Sequence, residues 1–335
     1  MRGRFAPSPT GPLHLGNLRT ALAAWLFARA VGSEFLVRME DLDGSVARPE
    51  HEEAQLADLA ALGLDWDGPV VRQSERTDRY AAAVDALADR GLVYDCYCTR
   101  REIQAAASAP NGDGSAAALA ALPGPEGAYP GTCRTLTAVD RRAHQDAGRP
   151  PALRLRVDAA VVTVVDRLFG GRDARGVSRT PWCRPGSFTG VVDDVVLRRN
   201  DGTHAYNLAV VVDDAAQRVE QVVRGDDLLS STARQVHLAG VLGLATPGYA
   251  HVPLVLAPGG ARLAKRHGAV TMADRHALGE DVSAVLSMLA ASLGLVPHGV
   301  RVTKAVELLD SFDPDRLPTR PWTEPWVVPA TALAR

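Results

Sequence analysis

The string Arg4-Phe5-Ala6-Pro7-Ser8-Pro9-Thr10-Gly11-Pro12-Leu13-His14-Leu15-Gly16-Asn17 sets hydroxyls, an imidazole and a glycine between a short predicted strand and the start of a helix. Free amide hydrogens and the dipole at a helix N-terminus favour an anion. Gly16 lets a nucleotide approach the backbone with no side chain in the way, and His14 can donate to phosphate oxygens. For a lone histidine a proline-rich surface turn would be the better reading; the whole string favours phosphate handling. Far downstream, Arg262-Leu263-Ala264-Lys265-Arg266 follows the turn Pro258-Gly259-Gly260 and puts cations on a glycine-flanked loop. Taken alone it is merely a basic loop.

A second kind of chemistry is offered by sulfur. Cys96 and Cys98 are two positions apart, and Tyr129 and Cys133 four apart. Three thiolates and a phenolate oxygen could complete a tetrahedron around zinc, with His144 as an alternative fourth ligand; three unrelated reduced cysteines fit the spacing as well. A closed site of four protein ligands would be structural. Cys183 stands alone.

The elements that must carry these groups follow from periodicity. Residues 2–6 read as a strand; Leu18, Leu22, Trp25, Leu26 and Arg29 share a helical face, and Gly32 ends that helix. Residues 34–39 form the next predicted strand. Strand, loop, helix, strand implies a right-handed crossover and a parallel sheet, with ligands outside the carboxyl ends of its strands. Helices are predicted over residues 49–62, ended by Gly63, and 74–91, ended by Gly91, with Tyr80, Val84 and Leu87 as the buried stripe of the latter. Residues 105–127, rich in Ala, Ser, Gly and Pro, read as a flexible insertion. Strand-like alternation resumes over 151–163, and Val-rich strands are predicted at 191–197 and 208–212. The sheet is thus entered, left and re-entered, as when one domain is inserted into another.

A net charge of −2 and a pI of about 6.5 exclude the broadly basic surface of a non-specific nucleic-acid binder, so any RNA contact must be local. The apolar stretch 21–31 is interrupted by Arg29 and is too short to span a bilayer, which predicts a cytoplasmic chain with no membrane partner.

The first string, together with Arg38-Met39-Glu40-Asp41-Leu42-Asp43, the run from Asp201-Gly202-Thr203-His204-Ala205-Tyr206-Asn207 to Asp213-Asp214, Val223-Arg224-Gly225-Asp226-Asp227-Leu228 and the lysine loop, resembles the glutamyl-tRNA synthetase group of class I aminoacyl-tRNA synthetases. The resemblance runs from about residue 4 to 270. It implies ATP-dependent activation of L-glutamate as an adenylate, with magnesium accompanying ATP. It implies that Arg4 and Arg224 hold the substrate side-chain carboxylate, which suits guanidinium forks. Glu40, Ser8 and Tyr206 would meet the main-chain groups of the amino acid. Pro7, Thr10, His14, Gly16, Asn17 and Lys265 would handle ATP, with His14 and Lys265 the catalytic pair. Ala264 stands where the family commonly has serine.

Within that group, the Cys-x-Cys and Tyr-x-x-x-Cys arrangement resembles the zinc site of the short glutamyl-queuosine tRNA(Asp) synthetases. Residues 269–335 are expected to hold a helical stretch over 281–309 and a proline-rich tail, with no room for a folded anticodon-reading domain. The resemblance therefore implies one structural zinc per chain, held by Cys96, Cys98, Tyr129 and Cys133, and transfer of glutamate to queuosine in the anticodon loop of tRNA(Asp). A truncated glutamyl-tRNA synthetase charging the tRNA 3′ end, or an inactive RNA-binding derivative, are the alternatives. The expected fold is α/β: a Rossmann-like parallel-sheet catalytic domain (residues 1–95 and 200–268), an inserted zinc-containing α+β domain (96–199), and a short helical C-terminal region (269–335).

Overall fold

The computed structural model describes residues 2–107, 128–158, 160–169, 186–257, 263 and 270–323. Its first half runs β1 (Gly3–Phe5), α1 (Leu15–Arg29), β2 (Phe35–Met39), α2 (Pro49–Ala61), β3 (Val71–Arg72) and α3 (Thr77–Ala88). There follow β4 (Val93–Cys96), α4 (Arg100–Ala107), α5 (Ala138–Asp146), β5 (Ala152–Leu155), β6 (Ala160–Val165), β7 (Ser187–Val192) and β8 (Val196–Arg198). The chain continues through α6 (Tyr206–Ala216), β9 (Gln221–Gly225), α7 (Leu229–Leu242), β10 (Gly248–Val252), β11 (Val255–Leu256), α8 (Met272–Ala277), α9 (Val282–Ser292) and β12 (Trp322–Thr323).

The five-stranded sheet has the order β10-β9-β1-β2-β3, and every pair in it is parallel. From β1 the chain builds outward to β2 and β3, then returns to place β9 and β10 on the other side. The order therefore reverses between β1 and β9, and the crevice beyond their carboxyl ends is where such sheets bind ligands.

Helix α1 covers this sheet and is buried around most of its circumference, Ala21, Ala23, Ala24 and Phe27 as well as Leu18, Leu22 and Leu26. The single apolar face expected from spacing is exceeded because α9 packs on the outer side of α1. Arg19 ties the layers together, donating to Ser292 Oγ at 3.1 Å and to the Pro253 carbonyl at 2.7 Å. Close approach of α1 to the sheet needs Gly3: a Cβ there would stand 3.2 Å from Ala28 Cβ.

The run 208–212 is helical, not the expected strand. A short branched apolar run fits either a strand or a buried helix, and here Leu208, Ala209, Val210 and Val211 are all buried, which one face of a strand cannot achieve. The expected strand at 191–197 is split into β7 and β8, because Asp193 and Asp194 turn inward between them. Arg234 grips Asp193 through two bonds of 2.5 and 2.6 Å, and Asp194 accepts from the Val157 amide at 2.8 Å and from the Tyr94 hydroxyl. The helix expected over 281–309 ends at Ser292, where Gly294 at φ 69° turns the chain. Residues 108–127, most of the segment read as a flexible insertion, lie outside the described residues, as does Cys183.

Between α3 and α6 the chain makes two antiparallel units, the sheet β4-β5-β8 and the hairpin β6-β7. The hairpin returns to the main sheet: Asp166 bridges Tyr249 in parallel at the β10 edge, and Phe188 and Val192 join α3, α6 and α7 in one core. No helix among the described residues is long and apolar enough to cross a membrane.

Candidate functional site

The loop after β1 is held from several directions. Gln55 of α2 donates to the Ser8 carbonyl at 3.0 Å and the Gly11 carbonyl at 2.7 Å, while the Glu40 amide donates to Pro7 O at 2.9 Å. At the N-terminus of α1, His14 Nδ1 accepts from the Asn17 amide at 3.2 Å and Asn17 Oδ1 accepts from the His14 amide at 3.2 Å. This reciprocal cap fixes the imidazole with Nδ1 as acceptor, so its proton sits on Nε2 and points away from the cap. Burial lowers the His14 pKa against the pull of Asp227, which keeps the ring neutral. A Cβ at Gly16 would lie 3.0 Å from the His14 ring, so the glycine makes room for the imidazole itself.

A cavity of about 590 Å³ opens at the switch point. Arg4, Pro7, Ser8, Thr10, His14, Gly16, Asn17, Glu40, Tyr206 and Arg224 all line it, so the described members of the expected ATP and amino-acid set share one space. Lys265 lies outside the described residues. Leu263 on the same loop lines the cavity, and Val270 O accepts from the Leu15 amide at 2.7 Å.

The charges around the cavity form two groups. Arg38 is fully buried and donates to Asp214 Oδ1 at 2.7 Å and Gln217 Oε1 at 2.9 Å, with Glu40 at 3.4 Å; Arg4 Nε reaches the same Asp214 oxygen at 3.4 Å. Burial raises the Glu40 pKa although Arg38 and Arg4 oppose it, and burial beside Glu40 raises that of Tyr206. Arg224, 5% exposed, is different. Its bonds go to His251 Nε2 at 3.0 Å, Gln235 Oε1 at 2.8 Å, Thr232 Oγ1 at 2.9 Å and the Leu228 carbonyl at 3.5 Å. None of these acceptors is a carboxylate, so the buried guanidinium lines the cavity with only uncharged direct partners among these bonds, an arrangement that favours an anionic ligand. Arg38, Asp214 and Gln55 escaped the sequence reading as site residues; Arg38 and Asp214 fall inside the motif strings, and Gln55 carries no signal on an otherwise ordinary helix.

At the end of β4, the sulfurs of Cys96, Cys98 and Cys133 lie within 4.8 Å of one another. Cys98 Sγ is 3.4 Å from Cys133 Sγ and 3.7 Å from the Tyr129 hydroxyl, which also accepts from the Cys133 amide at 2.7 Å. Tetrahedral zinc with Zn–S bonds of about 2.3 Å sets its ligand sulfurs roughly 3.8 Å apart, so the donor set fits that metal. His144 is not in this group and stacks on Tyr97, ring centroids 4.5 Å apart. Burial pushes the Cys98 thiol up to about 12 without a metal, so a cation would be the means of making it a thiolate.

A second cavity, about 770 Å³, lies between the main sheet and the antiparallel unit. It shares Ser8, Glu40 and Tyr206 with the first and is lined further by Arg100, Arg154, Arg199 and Arg234.

Residues 1–324 match the family described as tRNA synthetases class I (E and Q), catalytic domain. The chain is 57% identical over 320 residues to a glutamyl-Q tRNA(Asp) synthetase of Nocardia farcinica, covering 96% of this chain and 92% of that protein. The chain belongs to the glutamyl-Q tRNA(Asp) synthetase family. A second family member, from Symbiobacterium thermophilum, is 45% identical over 342 residues, covering 99% of this chain and 97% of its own. Among solved structures, a glutamate tRNA ligase from Elizabethkingia meningosepticum superposes with a TM-score of 0.74 at 26% identity; the match covers 96% of this chain and 66% of that one. A glutamate-tRNA synthetase from Elizabethkingia anophelis gives 0.75 at 27% identity, covering 97% and 68%. These relationships agree with the parallel-sheet class I fold built from β1, β2, β3, β9 and β10.

Proposed function

We propose that the protein activates L-glutamate with ATP, without RNA, and transfers the glutamyl group to queuosine in the anticodon loop of tRNA(Asp). The observation that carries the glutamate half is Arg224, a buried guanidinium with uncharged partners at the edge of the 590 Å³ cavity. The acceptor half rests on the relatives, whose shared name specifies tRNA(Asp).

In this reading Arg224 and Arg4 pair with the side-chain carboxylate of glutamate, and Glu40, Ser8 and Tyr206 orient its ammonium and α-carboxylate. An α-carboxylate oxygen attacks the α-phosphorus of ATP and pyrophosphate leaves; a hydroxyl of the acceptor then attacks the adenylate carbonyl and AMP leaves. No protein nucleophile is needed, and catalysis is positioning plus charge neutralisation. His14 donates its Nε2 proton to a phosphate oxygen, Pro7, Thr10, Gly16 and Asn17 shape the nucleotide end, and Lys265 neutralises the departing pyrophosphate. Magnesium would enter with ATP and supply charge neutralisation on its phosphates.

One structural zinc per chain, on Cys96, Cys98, Cys133 and Tyr129, would tie β4 to the segment around Tyr129. The division into a catalytic domain (residues 1–95 and 200–268), an inserted domain (96–199) and a helical C-terminal region (269–335) belongs to the same proposal. Its hairpin β6-β7, however, packs on the catalytic sheet.

The test is transfer of radiolabelled glutamate to tRNA(Asp) carrying queuosine, and to its isolated anticodon stem-loop, against the same RNA with guanosine at that position. Labelling only where queuosine is present is the expected result. Efficient charging of unmodified tRNA(Glu) would replace this acceptor with a tRNA 3′ end.

A further inference from the structure

Behind Arg224 stand two buried residues that the proposed reaction leaves unused. The His251 and Asp166 side chains are both 0% exposed and hydrogen-bonded to each other, His251 Nδ1 to Asp166 Oδ2. The other carboxylate oxygen of Asp166 accepts from three backbone amides, Leu168 at 3.1 Å, Phe169 at 2.9 Å and His251 at 3.1 Å. Burial alone would raise the Asp166 pKa, but these bonds and His251 hold it below the usual range, so Asp166 acts only as an acceptor. The proton between the two rings of partners therefore sits on Nδ1, and the Nε2 lone pair faces the Arg224 Nε–H at 3.0 Å. Gln235 and Thr232 hold the guanidinium on its other sides, and Gln235 Nε2 is itself anchored on Asn207 Oδ1 at 3.0 Å.

We propose that Asp166 and His251 are positioning residues for glutamate recognition: by fixing the histidine tautomer they aim the Arg224 guanidinium into the amino-acid cavity. The proposal rests on the reading of Arg224 as the partner of the substrate side-chain carboxylate. With the opposite tautomer an Nε2–H would meet the Arg224 Nε–H, two donors head to head; Thr232 Oγ1, 3.2 Å from Nε2, could take that proton only while it also accepts from Arg224 Nη2, and the guanidinium would lose its Nε acceptor. The same logic, an aspartate that sets a histidine tautomer without touching substrate, operates in serine protease triads.

Asp166→Asn produces that inversion without changing shape. The amide oxygen keeps the three backbone donors, so the NH2 faces Nδ1 and drives the ring proton to Nε2. In ATP–pyrophosphate exchange, Asp166→Asn and His251→Leu should raise the glutamate KM by about tenfold or more while the ATP KM stays within about twofold. His251→Gln, whose side-chain oxygen reaches toward the Nε2 position, should recover most of the loss. Parental glutamate KM in both Asp166→Asn and His251→Leu overturns the relay. So does an equal rise in both KM values with no recovery by glutamine, which is the signature of a purely structural role. Arg224→Ala run alongside separates the two levels of the argument. A glutamate KM unchanged by Arg224→Ala removes the reading of Arg224 and the relay with it; a rise there with no effect at 166 or 251 removes the relay alone.

Discussion

Arg38 donates from Nη1 to Asp214 Oδ1 at 2.7 Å with the Arg38 side chain fully buried and that of Asp214 9% exposed. Asp214 is therefore committed to Arg38, while Arg4, 3.4 Å from the same oxygen, is held more loosely and keeps capacity for a substrate carboxylate. Breaking such a pair by removing one charge costs roughly 3–5 kcal/mol. Burial would raise the Asp214 pKa, but Arg38 and Arg4 depress it. A depressed carboxyl stabilises the fold above its ordinary value of 3.8, and that contribution is lost as pH falls through the lower folded value. Asp214→Asn should therefore melt well below the parent at pH 7, with the gap closing in acid below pH 4; thermal melts across that range check it.

Asp226 should show the opposite slope. Burial and the neighbouring Asp227 push its pKa up to about 7, although the Leu254 amide donates to it at 3.1 Å. The unfolded chain ionises near 3.8, so the folded state binds the extra proton between those values and stability declines as pH rises through that window, then levels off. Asp226→Asn keeps the amide acceptor and removes the penalty. It should gain roughly 2–4 kcal/mol over the parent at pH 8 and nothing below pH 4, measured by denaturant unfolding; an equal effect at both pH values would refute the assignment.

Freshly purified protein should carry one zinc per chain by elemental analysis. Cys96→Ser or Cys133→Ser should lose it, with chelation or mutation loosening the segment from β4 to β5 in hydrogen exchange. Tyr129→Phe should weaken retention, whereas His144→Ala should not, since that ring is engaged with Tyr97. Full zinc in Tyr129→Phe and loss in His144→Ala would exchange the two as ligands.

Lys265→Ala should remove most ATP–pyrophosphate exchange, about a hundredfold or more, with unchanged melting. Lys265 belongs to the string Arg262-Leu263-Ala264-Lys265-Arg266, and the described residues of that segment reach the site, Leu263 lining the cavity and Val270 bonded to the start of α1. Normal exchange in that variant would take the lysine out of the mechanism.

The parallel sheet was legible because each early strand and helix carries its own punctuation: Gly32, Gly63 and Gly91 all adopt positive φ where a helix end was expected. The Leu208–Val212 run was not, because buried helices and buried strands look alike over five apolar residues. Most cavity-lining residues fall in contiguous strings around β1, β2, the start of α6 and β9, with Gln55 an exception. What stayed hidden is support that comes from elsewhere in the chain. His251 is one histidine in an apolar strand and Asp166 one acid after a hairpin strand; the parallel register of β9 and β10 sets His251 opposite Arg224, and the bridge between Asp166 and Tyr249 brings the acid to the histidine.

Activation and transfer should be separable at Arg199. The 590 and 770 Å³ cavities meet at Ser8, Glu40 and Tyr206, so an acceptor entering the larger one would reach an adenylate formed in the smaller. Single-stranded loop nucleotides can splay outward into such a space, and their phosphates need cations at its rim. Arg199 lies there, its side chain 41% exposed, 2.7 Å from Asp201 and 3.5 Å from Asp43. It lies outside the activation cavity and should not matter for making the adenylate. Arg199→Ala should therefore leave ATP–pyrophosphate exchange within about twofold of the parent and weaken RNA binding roughly tenfold, with the logarithmic salt slope of binding reduced by about one. Exchange and transfer falling together would mean that Arg199 supports the fold of both cavities. Transfer to queuosine-containing RNA at the parental rate, with an unchanged salt slope, would place the acceptor on another face of the molecule.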